Sequence, residues 1–100
     1  MTVYPLADGR LIAVVTSSGP SSYSSGGFSV TLSELRKVES VIAVYSNAGY
    51  LCEGSVGTGN SVTVKVYYFD YDATADGAAV EVADGTDLSG VTFTIIAVGF

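Results

Sequence analysis

The stretch that decides the fold is the longest alternating segment of the chain, Ser61-Val62-Thr63-Val64-Lys65-Val66-Tyr67-Tyr68-Phe69-Asp70-Tyr71. Side chains two positions apart lie on the same face of a β-strand, so positions 62, 64, 66 and 68 share one apolar face. This valine face is predicted to point into a hydrophobic core. The opposite face begins polar and ends with Tyr67, Phe69 and Tyr71, and we expect this aromatic end to be covered rather than bare in water.

On both sides of this segment, short β-branched runs alternate with turns rich in Gly, Ser, Asn and Asp. They predict about seven strands, over residues 10–16, 28–32, 40–46, 50–53, 61–71, 78–82 and 91–100. This spacing is typical of an all-β, antiparallel β-sandwich with Greek-key or jelly-roll-like connections. The last strand is so apolar that we expect it to lie inside a sheet or to pair with another chain.

One short helix is predicted near residues 33–39. Ser33 can cap its first turn, where Glu34 suits the positive end of the backbone dipole, and basic residues follow at positions 36 and 37. Leu35 and Val38 would face inward, because residues three apart share one side of a helix.

The whole chain, 1–100, is predicted to be a single β-sandwich domain, since this length is too short for two independent cores. Within it, residues 17–27 are predicted to form a flexible Ser/Gly loop or arm. Two interpretations stay open. The segment is a surface connection, or it is an arm that becomes ordered on a neighbouring subunit with Tyr23 as its anchor.

The composition favours an assembly. Hydrophobic residues make up 48% of the chain and charged residues 14%, against about 25% charged in an average soluble domain. A small domain has much surface and here has few charged residues to place on it. We therefore expect part of its surface to bind another protein. A monomer coated with Ser, Thr and Gly is the alternative.

The formal net charge of −6 disfavours nucleic acid, because a polyanion would be repelled. The four basic residues form no run longer than two, which disfavours an anionic membrane surface.

The chain lacks the usual equipment of an enzyme. It has no His to act as a general base and a single Cys, Cys52, which we expect to be a buried, inert thiol. Lys65 lies between Thr63 and Tyr67 on a strand and is interpreted as a solubilising residue rather than a catalytic base. We therefore predict a protein that is not an enzyme and that uses no cofactor.

Two binding sites are considered in the acidic region. The spacing of Asp70, Asp72 and Asp76 imitates a calcium loop, but Ala75 replaces the required Gly and strands replace the flanking helices. A solvated acidic turn is therefore favoured over a calcium site, and no metal is assigned. The same region, with its aromatic side chains, could also stack on sugar rings, which makes a carbohydrate- or receptor-binding adhesion module the alternative function.

The segments Gly27-Phe28-Ser29-Val30-Thr31-Leu32-Ser33-Glu34-Leu35-Arg36-Lys37-Val38-Glu39-Ser40-Val41 and Val91-Thr92-Phe93-Thr94-Ile95-Ile96-Ala97-Val98-Gly99 together resemble small structural proteins of tailed bacteriophages. Such proteins combine a short strand, a helical turn, a meander of strands and a final apolar strand ending in Gly. The resemblance implies a capsid decoration protein or a fibre module, commonly a trimeric β-sandwich, and it transfers no functional residue.

The sequence therefore predicts a virion structural protein that binds a repeating protein lattice and stabilises it through several contacts at once. Its expected partners are further copies of itself, first as a trimer, and a major capsid or other virion protein. The expected interface residues are Tyr23, Tyr67, Phe69 and Tyr71. No signal peptide is recognisable at the N-terminus, so assembly in the host cytoplasm and a final location in the virion are expected.

Overall fold

The computed structural model describes residues 1–69 and 79–100, and shows an all-β, β-sandwich-like protein built from two antiparallel sheets. Over these residues the backbone forms eight strands and no helix. The strands are β1 (Thr2–Pro5), β2 (Leu11–Ser18), β3 (Phe28–Thr31), β4 (Val38–Ser46), β5 (Leu51–Val56), β6 (Ser61–Tyr68), β7 (Val80–Glu81) and β8 (Thr92–Gly99).

The first sheet has the order β1-β2-β8-β4 and brings the two ends of the chain together. The last strand, β8, is hydrogen-bonded to β2 on one edge and to β4 on the other. The prediction that the closing strand lies inside a sheet is therefore confirmed. Its residues Phe93, Ile95 and Ala97 are fully buried and point into the core.

The second sheet has β6 at its centre, with β5 on one edge. The other edge of β6 pairs with β3 along its first half and with β7 along its last two residues. The valine face of β6 is confirmed as core-facing, because Val62, Val64 and Val66 are completely buried. The glycine-rich stretch 57–60 forms the β5–β6 hairpin turn, in which the Gly57 N–H donates to the Ser61 carbonyl.

Both sheets contribute to one hydrophobic core. The first sheet supplies Ala13, Phe93 and Ile95, and the second supplies Val30 and the β6 valines. Phe28 of β3 and Phe93 of β8 meet edge to face with ring centroids 5.2 Å apart, the geometry that aromatic quadrupoles favour. This contact helps to hold the two sheets together.

Two bulges give β4 an unusual pattern of burial. Its register against β8 shifts between Val38 and Ser40 and again between Val41 and Ala43. Each extra residue lets side chains three positions apart point to the same side. Val38, Val41 and Val44 consequently all pack on the core, although a regular strand would turn Val41 outward.

The predicted helix near residues 33–39 is wrong. Leu35 and Val38 are buried as expected, but the segment is a turn followed by the start of β4. Apart from one local turn bond, from Leu35 N–H to the Leu32 carbonyl, its backbone groups bond to distant segments: Arg36 N–H donates to the Phe100 carbonyl, and Val38 N–H to the Gly59 carbonyl. Leu35 and Val38 therefore both point inward because of a turn and a bulge, not because of a helix. Backbone groups of other segments satisfy the N–H groups that a helix would pair within itself.

The strand count is also corrected, from about seven to eight over the described residues. The added strand is β1, a four-residue edge strand that pairs with the start of β2 through a hairpin at residues 6–10. Its sequence gave little signal because it is short and ends in Pro5, a residue that sheets accept mainly at edges.

Gly99 makes the closest approach between β8 and the start of β4. A Cβ at this position would collide with the carbonyl oxygen of Lys37, which is backbone and cannot rotate away. We expect Gly99→Ala to lower the free energy of unfolding by about 1–3 kcal/mol, the usual cost of overpacking, as measured by urea denaturation followed by circular dichroism.

The matched control is Gly90→Ala. A Cβ at Gly90 meets nothing within 4 Å, so we expect a change within about 0.5 kcal/mol, as for an ordinary surface substitution. Equal effects of the two substitutions would contradict the close packing of β8 on β4.

Candidate interaction surfaces

The side of the first sheet that faces away from the core combines a group of apolar side chains with Ser and Thr side chains around it. The strand register sets its side chains in rows that run across β1, β2, β8 and β4, alternating with the core-facing residues. We call the apolar residues of these rows, together with the bulged residue Ile42, the outer apolar face. Its members are Tyr4, Ile12, Val14, Ile42, Ala43, Tyr45, Ile96 and Val98.

Large side chains of this face are open to solvent. Tyr4 is 55% exposed, Ile42 58% and Tyr45 56%. Val98 at the centre of the face is only 9% exposed, yet it does not belong to the core cluster. It is covered by neighbours on its own side of the sheet. The outer apolar face is therefore a second apolar layer, closed at its centre and open around it.

The outer apolar face carries no charge. All residues of the four strands of the first sheet are described, and Glu39 is the one charged residue among them. It lies at one end of the face, where its carboxylate oxygen Oε1 is 3.4 Å from Nη1 of Arg10. The same guanidinium binds Asp8, with Nε 2.8 Å from Oδ2. The charges nearest the face are thus paired at its end rather than spread over it.

The aromatic end of β6 forms a smaller surface on the second sheet. Tyr67 of β6 is partly buried, and Phe69, which follows the last residue of β6, is 49% exposed. Leu51, paired with Tyr67 across β5 and β6, is 48% exposed. Of the predicted interface residues, Tyr67 therefore lies beside an apolar neighbour, and Tyr71 falls outside the described residues.

The structure places Tyr23 elsewhere than the sequence interpretation did. Its side chain is 1% exposed and belongs to the chain's own core. Its hydroxyl donates to Oε2 of Glu81 at 2.8 Å and accepts the N–H of Val66 at 3.2 Å. That N–H lies on β6 between the stretch paired with β3 and the stretch paired with β7. Tyr23 thus fills a gap in the ladder and anchors its loop within the same chain.

The Glu81 carboxylate accepts further hydrogen bonds besides that from the Tyr23 hydroxyl. It accepts the Gly26 N–H at 2.9 Å and the Ser25 hydroxyl at 3.2 Å. The hydrogen bond from Gly26, followed by that from Tyr23, lowers the pKa of Glu81. Burial, assisted by the neighbouring carboxylate, raises the pKa of Tyr23 to about 12. The pair is therefore a neutral phenol bound to an ionised carboxylate at neutral pH, an arrangement that holds the loop in place.

The Ser/Gly segment 17–27 is bound to the segment before β8 by main-chain hydrogen bonds. Tyr23 N–H donates to the Thr86 carbonyl, and Gly85 N–H donates back to Tyr23. A further bond runs from Leu88 N–H to the Pro20 carbonyl. In this structure the segment is packed along its own chain rather than extended from it.

Asp70, Asp72 and Asp76, whose spacing imitates a calcium loop, lie outside the described residues. Within the described residues, no group of three His, Cys, Asp or Glu side chains is placed to hold a metal ion. Cys52 is half-buried, and burial raises the pKa of its thiol. Lys65 is paired across the ladder with Glu53. Residues 1–69 and 79–100 contain no helix long and apolar enough to cross a membrane.

The sequence interpretation missed the outer apolar face. Its signal was present in β2 and β8, where Ile12, Val14, Ile96 and Val98 interrupt the expected alternation of apolar and polar residues. Strands that are apolar on both sides are usually covered on both sides. Ile42 and Tyr45 point to this face because of the bulges of β4, and no local sequence pattern predicts those bulges.

We expect Tyr23→Phe to destabilise the protein by about 1–3 kcal/mol, because the substitution leaves the Val66 N–H without its acceptor inside the protein. The measurement is urea denaturation at neutral pH. Tyr45→Phe, which removes a hydroxyl at a position 56% exposed, is the control and should leave the stability unchanged. A Tyr23→Phe protein as stable as the parent would contradict the anchoring role.

Glu81 should make the stability dependent on acid pH. Because its pKa is lowered in the folded protein, its contribution is present above its ordinary value of 4.5 and is lost as pH falls through the folded pKa. We expect the free energy of unfolding to fall less steeply between about pH 5 and pH 3 in Glu81→Gln than in the parent.

Some slope should remain in Glu81→Gln, since hydrogen bonds also lower the pKa values of Asp8 and Asp87. An unaltered slope in Glu81→Gln would show that the carboxylate does not hold the loop.

Comparison of the chain with protein-family models, with curated proteins and with solved structures found no match.

Proposed function

We propose that this chain is a non-enzymatic structural protein of a larger assembly, and within that class a virion component that decorates or cements a capsid, or forms a fibre module. In this role it binds a repeating protein lattice and stabilises it. The bacteriophage resemblance supplies the virion assignment, whereas the proposed binding to other proteins is supported by the surface described above.

The observation that carries the proposal is the number of large apolar side chains open to solvent in a protein with so few charges. Those exposed by two-fifths or more among the described residues are Met1, Tyr4, Ile42, Tyr45, Leu51, Val56, Tyr68, Phe69, Val80 and Phe100. Single exposed apolar residues are common, but groups of them mark surfaces that bind other proteins. Here they concentrate on the outer apolar face and around the aromatic end of β6.

The aromatic end of β6 is the surface we assign to the lattice. Phe69 and Leu51 are about half exposed, and Tyr67 beside them adds an aromatic ring with a polar tip. Aromatic side chains of this kind dominate the binding energy of protein interfaces. Repetition of one modest contact over many lattice sites gives high overall avidity without a large single interface.

The chain topology supports a Greek-key type of connection. β8 returns after a long connection to lie between β2 and β4, an order that differs from the order of the strands along the chain. A strand that returns by a long connection is one component of a Greek key, and Greek keys recur in the β-sandwiches and jelly rolls of viral capsid proteins.

Carbohydrate binding is the second candidate function. Phe69 presents an exposed ring near one end of the second sheet, and such rings stack on sugars when acidic or amide groups lie nearby. Binding of the labelled chain to a glycan array, lost in Phe69→Ser, would favour this adhesion function over the structural one.

The structural function is tested with density-gradient-purified virions from the source of the chain. Labelled protein is mixed with the particles and pelleted, and we expect saturable binding with a fixed number of chains per particle. Phe69→Lys should weaken this binding by about 10- to 100-fold, since a charge would enter an apolar contact.

Val56→Lys is the matched control, because Val56 is 46% exposed on β5 and Phe69 is 49% exposed. It introduces the same charge next to the β5–β6 turn, away from the aromatic end. Thermal unfolding of both variants confirms that each is folded. Failure of the parent protein to bind the particles would contradict the virion assignment, and equal weakening by both variants would contradict the role of the aromatic end.

A further inference from the structure

The outer apolar face lies on the side of the first sheet that does not contribute to the core, and packing within one chain leaves much of it exposed. Ile12, Val14 and Ile96 are partly buried on it, and Tyr4 and Tyr45 stand open at its sides. They share one side of one sheet, so a single flat partner could cover all of them. The remaining question is which partner this face fits.

The absence of charge on this face allows a second copy of the same chain to bind there. Each copy has a formal net charge of −6, and the repulsion between two copies is smallest when the contact surface itself carries no charge. The outer apolar face is such a surface. The charges at its end, on Arg10 and Glu39, are already paired within the chain. Two copies can therefore approach face to face without placing unpaired like charges in contact.

The area suits a weak pair. β1 has four residues and β2, β4 and β8 have eight or nine, so strands about 4.8 Å apart with a rise of about 3.3 Å per residue present a face of about 450 Å² in projection. Two copies would then cover about 900 Å² in total, which is the size of a weak, transient protein interface. The corrugation of the side chains raises the accessible area above this projection. An interface of this size corresponds to reversible association rather than to a permanent dimer.

The shape of the surface favours a two-fold arrangement. A single patch that meets its own copy forms an isologous contact, which closes at two subunits. A three-fold ring requires two different patches that fit each other. The bacteriophage resemblance implied a trimer, whereas one continuous apolar face points to a pair.

We propose that two copies of this chain associate through the outer apolar faces of their first sheets, forming a two-fold sheet-on-sheet dimer. Aligned or orthogonal packing of the two faces would place Tyr45 and Ile42 of each copy against the other. The dimer rests on the proposed function and deepens it, since it names one partner of the structural subunit and does not use the aromatic end of β6.

Sedimentation equilibrium of the purified chain tests the proposal. We expect a monomer–dimer equilibrium with a limiting mass of about 20 kDa, twice the 10.2 kDa of the chain. Tyr45→Lys and Ile42→Lys should each weaken dimerisation by about 100-fold or more, because two-fold symmetry buries every introduced charge twice. Both positions are more than half exposed in the monomer, so both variants should keep the thermal stability of the isolated chain.

Leu51→Lys is the control, since Leu51 is 48% exposed on the second sheet. It should dimerise as the parent does. Added salt should leave dimerisation unchanged or strengthen it, because salt screens the repulsion between two acidic copies. A monomer at about 100 μM, well above the micromolar range expected of a weak interface, a trimer, or a dimer that Leu51→Lys disrupts as strongly as Tyr45→Lys would each overturn the proposal.

The dimer and the lattice contact fail independently. A chain that is monomeric in sedimentation but binds virions would remove the pairing and keep the proposed function. A chain that dimerises but does not bind virions would keep the pairing and contradict the proposed function.

Discussion

The rest of the structure depends on the pairing of β8 with β2 and β4 at once. This strand is hydrogen-bonded on both edges and carries apolar side chains on both faces. Phe93, Ile95 and Ala97 point into the core, while Ile96 and Val98 point the other way. Burial of the first set holds the two sheets together. The second set lies on the outer apolar face, where Val98 is 9% exposed and Ile96 is partly buried. The same strand therefore links the core to the face through which we propose that two copies associate.

A second constraint acts on the other sheet. The edge of β6 is shared by β3 and β7, which leaves part of its backbone without a strand beside it. An unpaired backbone N–H inside a protein is costly. The Tyr23 hydroxyl bonds to one such group, the N–H of Val66, and the Glu81 carboxylate in turn holds the hydroxyl and the loop backbone at Gly26. The Ser/Gly segment is consequently part of the architecture, although its composition is that of a flexible arm.

The two exposed surfaces have different characters, and this difference supports a division of roles. The outer apolar face is broad and uncharged, with Glu39 at its end paired to Arg10. The aromatic end of β6 is small and lies on the opposite sheet, next to the acidic region of the sequence. A broad neutral face suits contact between identical acidic chains, whereas a small aromatic patch suits a repeated contact whose strength comes from multiplicity. Together they would allow one protein to bind its own copy and a lattice at the same time.

The all-β class, the core-facing valines of β6, the interior position of the last strand and the β5–β6 turn are all predictable from the sequence. These features follow from alternation and turn chemistry, which are local properties of neighbouring residues. The sequence also determines the low charge on which the assembly proposal depends. The conformation of residues 33–39, the place of Tyr23 and the composition of the outer apolar face depend instead on contacts between distant parts of the chain. Leu35 and Val38 satisfy a helical spacing, yet backbone partners at Gly59 and Phe100 draw the segment into a turn and a bulged strand. Bulges and gap-filling side chains are set by the strands that pair across the sheet, and those partners are too distant along the chain for any local pattern to reveal them.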